Sequence, residues 1–295
     1  MNRRDFLAGA ATAWPLIGGR AMAQSTPDPA KLERVSIMTY NYRAKLKLPG
    51  QQPGPDRTLA VFDIPQMYVD TWGVHNIEFQ HNHFESTETS YLTDLRTRIA
   101  STKSRMTQIN LEFDQANISA ADPAMRKQAI DLTAKWVDYA IVLQCPRVMI
   151  NQGTLSEATM AIATEALRQM TAYAKTKNIK VSMETRGGAR APSADGQPTG
   201  SLGWELVKQL VEGSGAYSNI DIGNVRAPDQ ASLHAAIKGL FPSSSGNMHI
   251  KVSPNWDLAT AIRFTNSDLG YKGLYTLEVD PSQIRSVIDT IVASI

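Results

Sequence analysis

From residue 35 onward, short runs dense in apolar residues alternate with longer stretches in which apolar residues recur every three or four positions. The short runs, 35–39, 76–79, 108–113, 147–151, 180–185, 219–223, 248–252 and 274–279, have the length and apolar content of buried strands. The stretches between and after them, 63–72, 90–104, 123–144, 155–177, 202–212, 229–239, 258–267 and 282–294, carry a helical period. Within 123–144, Ile130, Ala134, Val137 and Ile141 predict one buried stripe. Asp122-Pro123 and Asp280-Pro281 each place an N-cap before a proline whose missing N–H is harmless in a first helical turn. Strict alternation of strand and helix predicts parallel strands joined by right-handed crossovers. Eight such units predict closure into a single α/β domain, a (β/α)8 TIM barrel over residues 35–295, rather than an open sheet. No Gly-x-Gly-x-x-Gly follows the first run, so a dinucleotide-binding open sheet has no support.

Two connections, 41–62 and 186–200, are longer than a tight barrel needs and are rich in Pro and Gly. Both follow strands and so belong to the C-terminal face, where barrels build their sites; long loops there predict lids.

Residues 1–34 break the pattern. Arg3-Arg4-Asp5-Phe6-Leu7 leads into a weakly apolar stretch over 8–19 and then Ala21-Met22-Ala23. These are the charged, apolar and small-residue parts of a cleavable export signal, and paired arginines before Phe-Leu resemble the twin-arginine type. The expectation is a signal peptide over 1–23 cut after Ala23, a linker over 24–34, and passage of the folded chain through the twin-arginine export machinery to the periplasm or beyond. Pro15, Gly18, Gly19 and Arg20 interrupt the stretch short of the roughly 20 apolar residues a span requires, so no membrane anchor is expected after cleavage.

That segment changes the reading of charge. The chain has 30 Lys+Arg against 28 Asp+Glu, but residues 1–23 hold three arginines and one acid, leaving 27 of each in the remainder. A neutral body lacks the basic surplus that counterion release demands, which argues against a nucleic-acid partner. At 42% hydrophobic and 20% charged residues the body reads as globular. Cys145 is the sole cysteine, which excludes an internal disulfide and predicts a packed thiol rather than a nucleophile.

Four polar residues stand near the ends of four successive strand runs: Glu184, Asp221, His249 and Glu278, at separations of 37, 28 and 29 residues. Each separation is about one strand-helix unit, so in a barrel the four converge at one side of the mouth. A charge inside an apolar strand is expensive unless paired. A strand-end acid can also cap a helix or pair with a neighbour, but four in register point to one site. Three carboxylates and an imidazole form a hard, oxygen-rich set suited to one divalent metal, Mn²⁺ or Mg²⁺, with Co²⁺ as a further option.

The order Glu, Asp, His, Glu on strands five to eight, with Gly270-Tyr271-Lys272-Gly273 ahead of Glu278, resembles the xylose-isomerase-like sugar isomerase and epimerase superfamily from about residue 35 to the end. Trp136-Val137-Asp138-Tyr139-Ala140 with Cys145, Glu184-Thr185-Arg186-Gly187-Gly188 and Asp221-Ile222-Gly223-Asn224 are similar to its exported branch. The resemblance implies that Glu184, Asp221, His249 and Glu278 hold the metal and that Glu184 and Glu278 are catalytic, exchanging protons on opposite faces of a ketose. It further implies a small carbohydrate substrate, a non-phosphorylated sugar or related polyol, and isomerisation or epimerisation through an enediolate whose charge the metal stabilises. Two positions depart from the pattern: Asn224 stands where many members carry His, and Arg186 where His is common. Asn224 can bond a substrate oxygen but cannot shuttle a proton, so the departures bear on reaction type.

The superfamily's dehydratases offer a second reading, a lyase acting on a keto-sugar or cyclic polyol with the same metal. A third is a catalytically silent barrel that only binds carbohydrate. An endonuclease is disfavoured by five histidines in all and a neutral body. Substrate-binding candidates each carry a plainer alternative. Lys251 shares a strand face with His249 and could steady an oxyanion or pair with a barrel acid. Glu78, followed by His81-Asn82-His83, could contact sugar or belong to a polar loop. Tyr40, Tyr42 and Trp256 could plate a sugar ring or pack in the core. Asn151 and Gln152 could bond hydroxyls or close a turn. Arg186 and Arg190 around Gly187-Gly188 suit an anion, which in an exported protein points to a carboxylate or keto-sugar more than a phosphate. A homo-oligomer is compatible with all of these readings.

Overall fold

The computed structural model describes residues 28–52, 54–113, 117–150, 155–185 and 203–295. Its strands are β1 Val35–Met38, β2 Asn76–Gln80, β3 Arg105–Leu111, β4 Arg147–Ile150, β5 Lys180–Glu184, β6 Tyr217–Asp221, β7 Ser244–Ile250 and β8 Leu274–Leu277. Each pairs in parallel with its neighbours in sequence, and β8 returns to β1 with Val35 opposite Tyr275, closing the barrel. The helices are α1 Pro29–Leu32, α2 Ile64–Trp72, α3 Thr89–Ser101, α4 Pro123–Val142, α5 Met160–Thr176, α6 Trp204–Ser214, α7 Gln230–Leu240, α8 Leu258–Arg263 and α9 Ile284–Ser294. The predicted single (β/α)8 barrel is therefore the fold. Among the described residues no helix is long and apolar enough to cross a membrane. The signal-type segment at 1–23 lies outside the described residues, while within 24–34 α1 is capped by Asp28 and buries Leu32.

Asp122 accepts the Ala124 N–H and Pro123 opens α4, as the sequence predicts. The predicted stripe on that helix is turned aside: Ala129, Thr133, Trp136, Val137 and Ala140 are buried and Ile141 is 44% exposed. Alanine and threonine let the helix approach the strands closely, and Ile130 instead lines a groove with Ile162 and Ala166 of α5. Cys145 is buried and donates to the Arg147 carbonyl, and burial pushes its thiol up to about 12, which rules against a nucleophile.

β3, β6 and β7 each begin two to four residues before the apolar runs that predict them. Of their early residues, Thr107 and Asn247 are polar and bond across the barrel interior. Gln108 of β3 donates to Asn219 of β6, Asn247 of β7 donates to Glu78 of β2, and Ser36 of β1 bonds Thr107 of β3. None of these strand pairs is adjacent in the sheet, so the bonds run across the interior. The apolar core lies outside the barrel, between strands and helices, with residues such as Ile37, Phe79, Ile109, Leu210 and Ile288.

Candidate metal centre and substrate cavity

Strand geometry delivers the four predicted residues to one place. Glu184 and Asp221 end β5 and β6, His249 is next to last in β7, and Glu278 follows β8. One ligand atom from each lies within 4.8 Å of all the others. Glu184, Asp221 and His249 are buried and the Glu278 side chain is 17% exposed, so the cluster sits at the floor of the mouth. His249 Nδ1 faces all three acids, 3.1 Å from Glu184 Oε1, 3.4 Å from Glu278 Oε2 and 3.8 Å from Asp221 Oδ2.

Backbone clamps hold this geometry. The Thr185 hydroxyl accepts the Asp221 N–H at 2.8 Å and donates to the Asp221 carbonyl at 3.0 Å. Asn41, in the turn after β1, donates to the Leu277 carbonyl and accepts the Val279 N–H, gripping the chain on both sides of Glu278. Asp221 Oδ1 accepts the N–H groups of Gly223 and Asn224, which leaves Oδ2 turned into the cluster. Sequence reasoning missed Asn41 and Thr185, because what each grips lies on a neighbouring strand. Asn247 was missed as well, although its place two residues before His249 on one strand face was a legible signal.

Lys251 also reaches the cluster, 2.8 Å from Asp221 Oδ2 and 3.1 Å from Glu278 Oε1, and it donates to Asn224 Oδ1 at 3.0 Å. Its stem lies against Gly223, where an added Cβ would come within 2.7 Å of it; only glycine leaves that channel open. Of its two sequence readings the pairing with barrel acids holds, and Asn224 serves to place the ammonium. Burial disfavours the Lys251 charge, but Asp221 and Glu278 outweigh it and hold its pKa above the ordinary value. Burial likewise opposes the His249 charge, which Glu78 and the hydrogen bonds to Glu184, Glu278 and Glu78 overcome, raising it well above the ordinary value. Burial raises Asp221 to about 7, aided by Glu184 and Glu278 against Lys251 and His249. Burial works against ionised Glu278 too, yet the His249 hydrogen bond and charge bring it below its ordinary value.

The donor set fits a divalent cation. Four buried or half-buried carboxylates, Glu78 included, meet two cationic side chains among the described residues, Lys251 and His249. Hard oxygen donors with surplus negative charge suit Mg²⁺ or Mn²⁺.

Above the cluster opens a cavity of about 170 Å³ whose polar lining is Tyr40, Gln80, Asn110, Glu112, Glu184 and Glu278, with Met38 and Met149 between them. Gln80 donates to Glu112 Oε2 at 2.7 Å across that wall. Tyr40 and Glu278 are shared with a wider groove of about 670 Å³ between the turn after β1 and the segment after β8. Several predicted contacts lie elsewhere. Glu78 is fully buried beneath the cluster and is not among the lining residues, because its position on β2 is one turn of the pleat below Gln80. His81 accepts the Glu112 N–H and packs edge-on against Phe113 and Trp136, and His83 is buried against Thr39. Trp256 packs into the core, and Tyr42 is buried with its hydroxyl accepting from Trp72. Asn151, Gln152, Arg186 and Arg190 lie outside the described residues.

Residues 68–259 match the profile of the family described as Xylose isomerase-like TIM barrel. No curated protein matches the sequence. Among solved structures, a xylose isomerase domain protein from Planctomyces limnophilus shares 12% identity and superposes with a TM-score of 0.67 over 88% of this chain and 96% of that one. D-psicose 3-epimerase from Clostridium cellulolyticum H10, solved with D-tagatose, gives 12% identity and 0.62 over 88% and 96%. The probable 3-DHS dehydratase of Bacillus anthracis gives 12% and 0.60 over 88% and 97%. At such identities the likeness is one of fold.

Proposed function

The chain belongs to the xylose isomerase-like TIM barrel family, and on that premise we propose that it is a metal-dependent isomerase or epimerase of a non-phosphorylated sugar or related polyol. The observation that carries the reading is that Glu184 and Glu278, from β5 and β8, line one sugar-sized cavity directly over Asp221 and His249. Glu184, Asp221, His249 and Glu278 would hold the cation, whose charge would stabilise the negative charge that develops on substrate oxygens when a carbon next to a carbonyl loses its proton. One glutamate takes that proton and the other returns a proton to the opposite face, inverting the centre. Gln80, Asn110 and Glu112 offer amides and a carboxylate to hydroxyl groups. Epimerases among the structural neighbours are consistent with this reading.

With Mn²⁺ present, the protein is expected to wash solvent deuterium into a carbon-bound position of a ketose, read by NMR across a broad sugar panel. Absence of exchange from every sugar would end the epimerase reading. A dehydratase among the structural neighbours favours one competitor, a lyase acting on a keto-sugar or cyclic polyol. The same panel distinguishes that lyase, which would release an absorbing unsaturated product.

We propose also that the chain is exported folded, on the strength of Arg3-Arg4 and the Ala21-Met22-Ala23 site. Secreted protein should begin at Gln24, and replacing both arginines by lysine should hold it in the cytoplasm; unchanged export would refute the route.

A further inference from the structure

Glu78 and His249 come from β2 and β7, three strands apart around the closed barrel, and meet across its interior. His249 Nε2 lies 2.7 Å from Glu78 Oε1, and neither residue has any exposed surface. The second oxygen of Glu78 accepts from Asn247 Nδ2 at 2.7 Å. Asn247 is itself held, its Oδ1 accepting from the Thr276 hydroxyl and its Nδ2 also donating to Asn219. On the far edge of the imidazole, Nδ1 faces Glu184, Glu278 and Asp221. We infer that Glu78 is the positioning residue of the metal centre: by holding the Nε2 proton it commits His249 to ligate through Nδ1. The inference rests on the metal reading proposed above.

A carboxylate is the group this position requires. It presents an acceptor to each of two fixed donors, His249 Nε2–H and Asn247 Nδ2–H. Glutamine there has one amide group to place. Turned toward His249, it makes Nε2 an acceptor and moves the remaining proton to Nδ1, blocking the ligand atom; turned toward Asn247, donor meets donor. A carboxylate that accepts the Nε2 proton also makes the imidazole a stronger ligand. Glu78 does not line the substrate cavity, so its effect passes through His249.

The test titrates Mn²⁺ into metal-stripped wild-type protein and Glu78→Gln, with free ion read by electron paramagnetic resonance, and records the ¹⁵N histidine spectrum of the Mg²⁺-loaded wild type. The inference expects Glu78→Gln to bind Mn²⁺ roughly 10- to 100-fold more weakly, with wild-type His249 protonated on Nε2 and unprotonated on Nδ1. Equal affinity in a folded variant overturns the role of Glu78 while leaving the metal reading in place. Wild-type protein that binds no Mn²⁺ overturns the metal reading and the inference together. Should Glu78→Gln fail to fold, the wild-type spectrum decides: a proton on Nδ1 of the loaded protein overturns the inference, and one on Nε2 alone sustains it.

Discussion

His83 shows at the scale of one residue how burial sets a charge state. It is 2% exposed, its Nδ1 meets the Thr39 hydroxyl at 2.8 Å, and that hydroxyl also accepts the Gln80 N–H. Burial, reinforced by His81 and Arg43, brings its pKa down from 6.5 to about 4. Between those values the unfolded chain binds a proton that the folded chain refuses. The resulting stability is complete above pH 6.5 and is lost as the pH falls toward 4, by up to roughly 3 kcal/mol. Denaturant unfolding at pH 7 and pH 4.5 should therefore separate wild type from His83→Gln, whose amide can still bond Thr39. Parallel pH dependence in the two proteins would mean that the ring is not held neutral.

At the scale of elements, the motif before β8 divides its work between the two ends of the barrel. Gly270 takes a positive φ of 67°, Tyr271 is buried with its hydroxyl donating to the Leu274 carbonyl, and Arg34 donates to the Tyr271 and Gly273 carbonyls. A Cβ on Gly273 would stand 2.5 Å from the Gly246 carbonyl oxygen, a backbone atom with little freedom to retreat. Gly270 to Gly273 thus seat the start of β8 against β7, while Glu278 at the other end serves the candidate centre. Gly273→Ala should cost about 3 kcal/mol, seen as a lower denaturant midpoint with an unchanged slope. A loss well under 1 kcal/mol would show that this seam yields easily.

The whole molecule keeps its apolar core outside the barrel and fills the inside with hydrogen-bonded amides, hydroxyls and carboxylates. Buried groups of that kind are tolerated only when satisfied, and at the cluster four carboxylates meet two cationic side chains among the described residues, Lys251 and His249, which leaves negative charge in excess. A divalent cation at a hundredfold excess over its Kd should therefore stabilise the fold by roughly 2.7 kcal/mol. Glu184→Gln should forfeit most of that gain. Melting with Mn²⁺ and with chelator measures both, and coincident wild-type transitions would remove the metal from the description.

The sequence by itself determined the barrel and the four residues of the candidate centre. Strand and helix periods are local, and a strand-end position repeated at intervals of one strand-helix unit survives any error in boundaries. It could not place Glu78, which shares a strand with Gln80 yet lies beneath the centre while Gln80 faces the cavity. Nor could it find Asn41 and Thr185, whose partners belong to the adjoining strand, or assign Trp256 to the core and Lys251 to the carboxylates. Those roles depend on register and depth, which parallel strands fix only when the barrel closes. Tertiary structure alone decided them, because a polar side chain in the interior is defined by what it meets across the barrel.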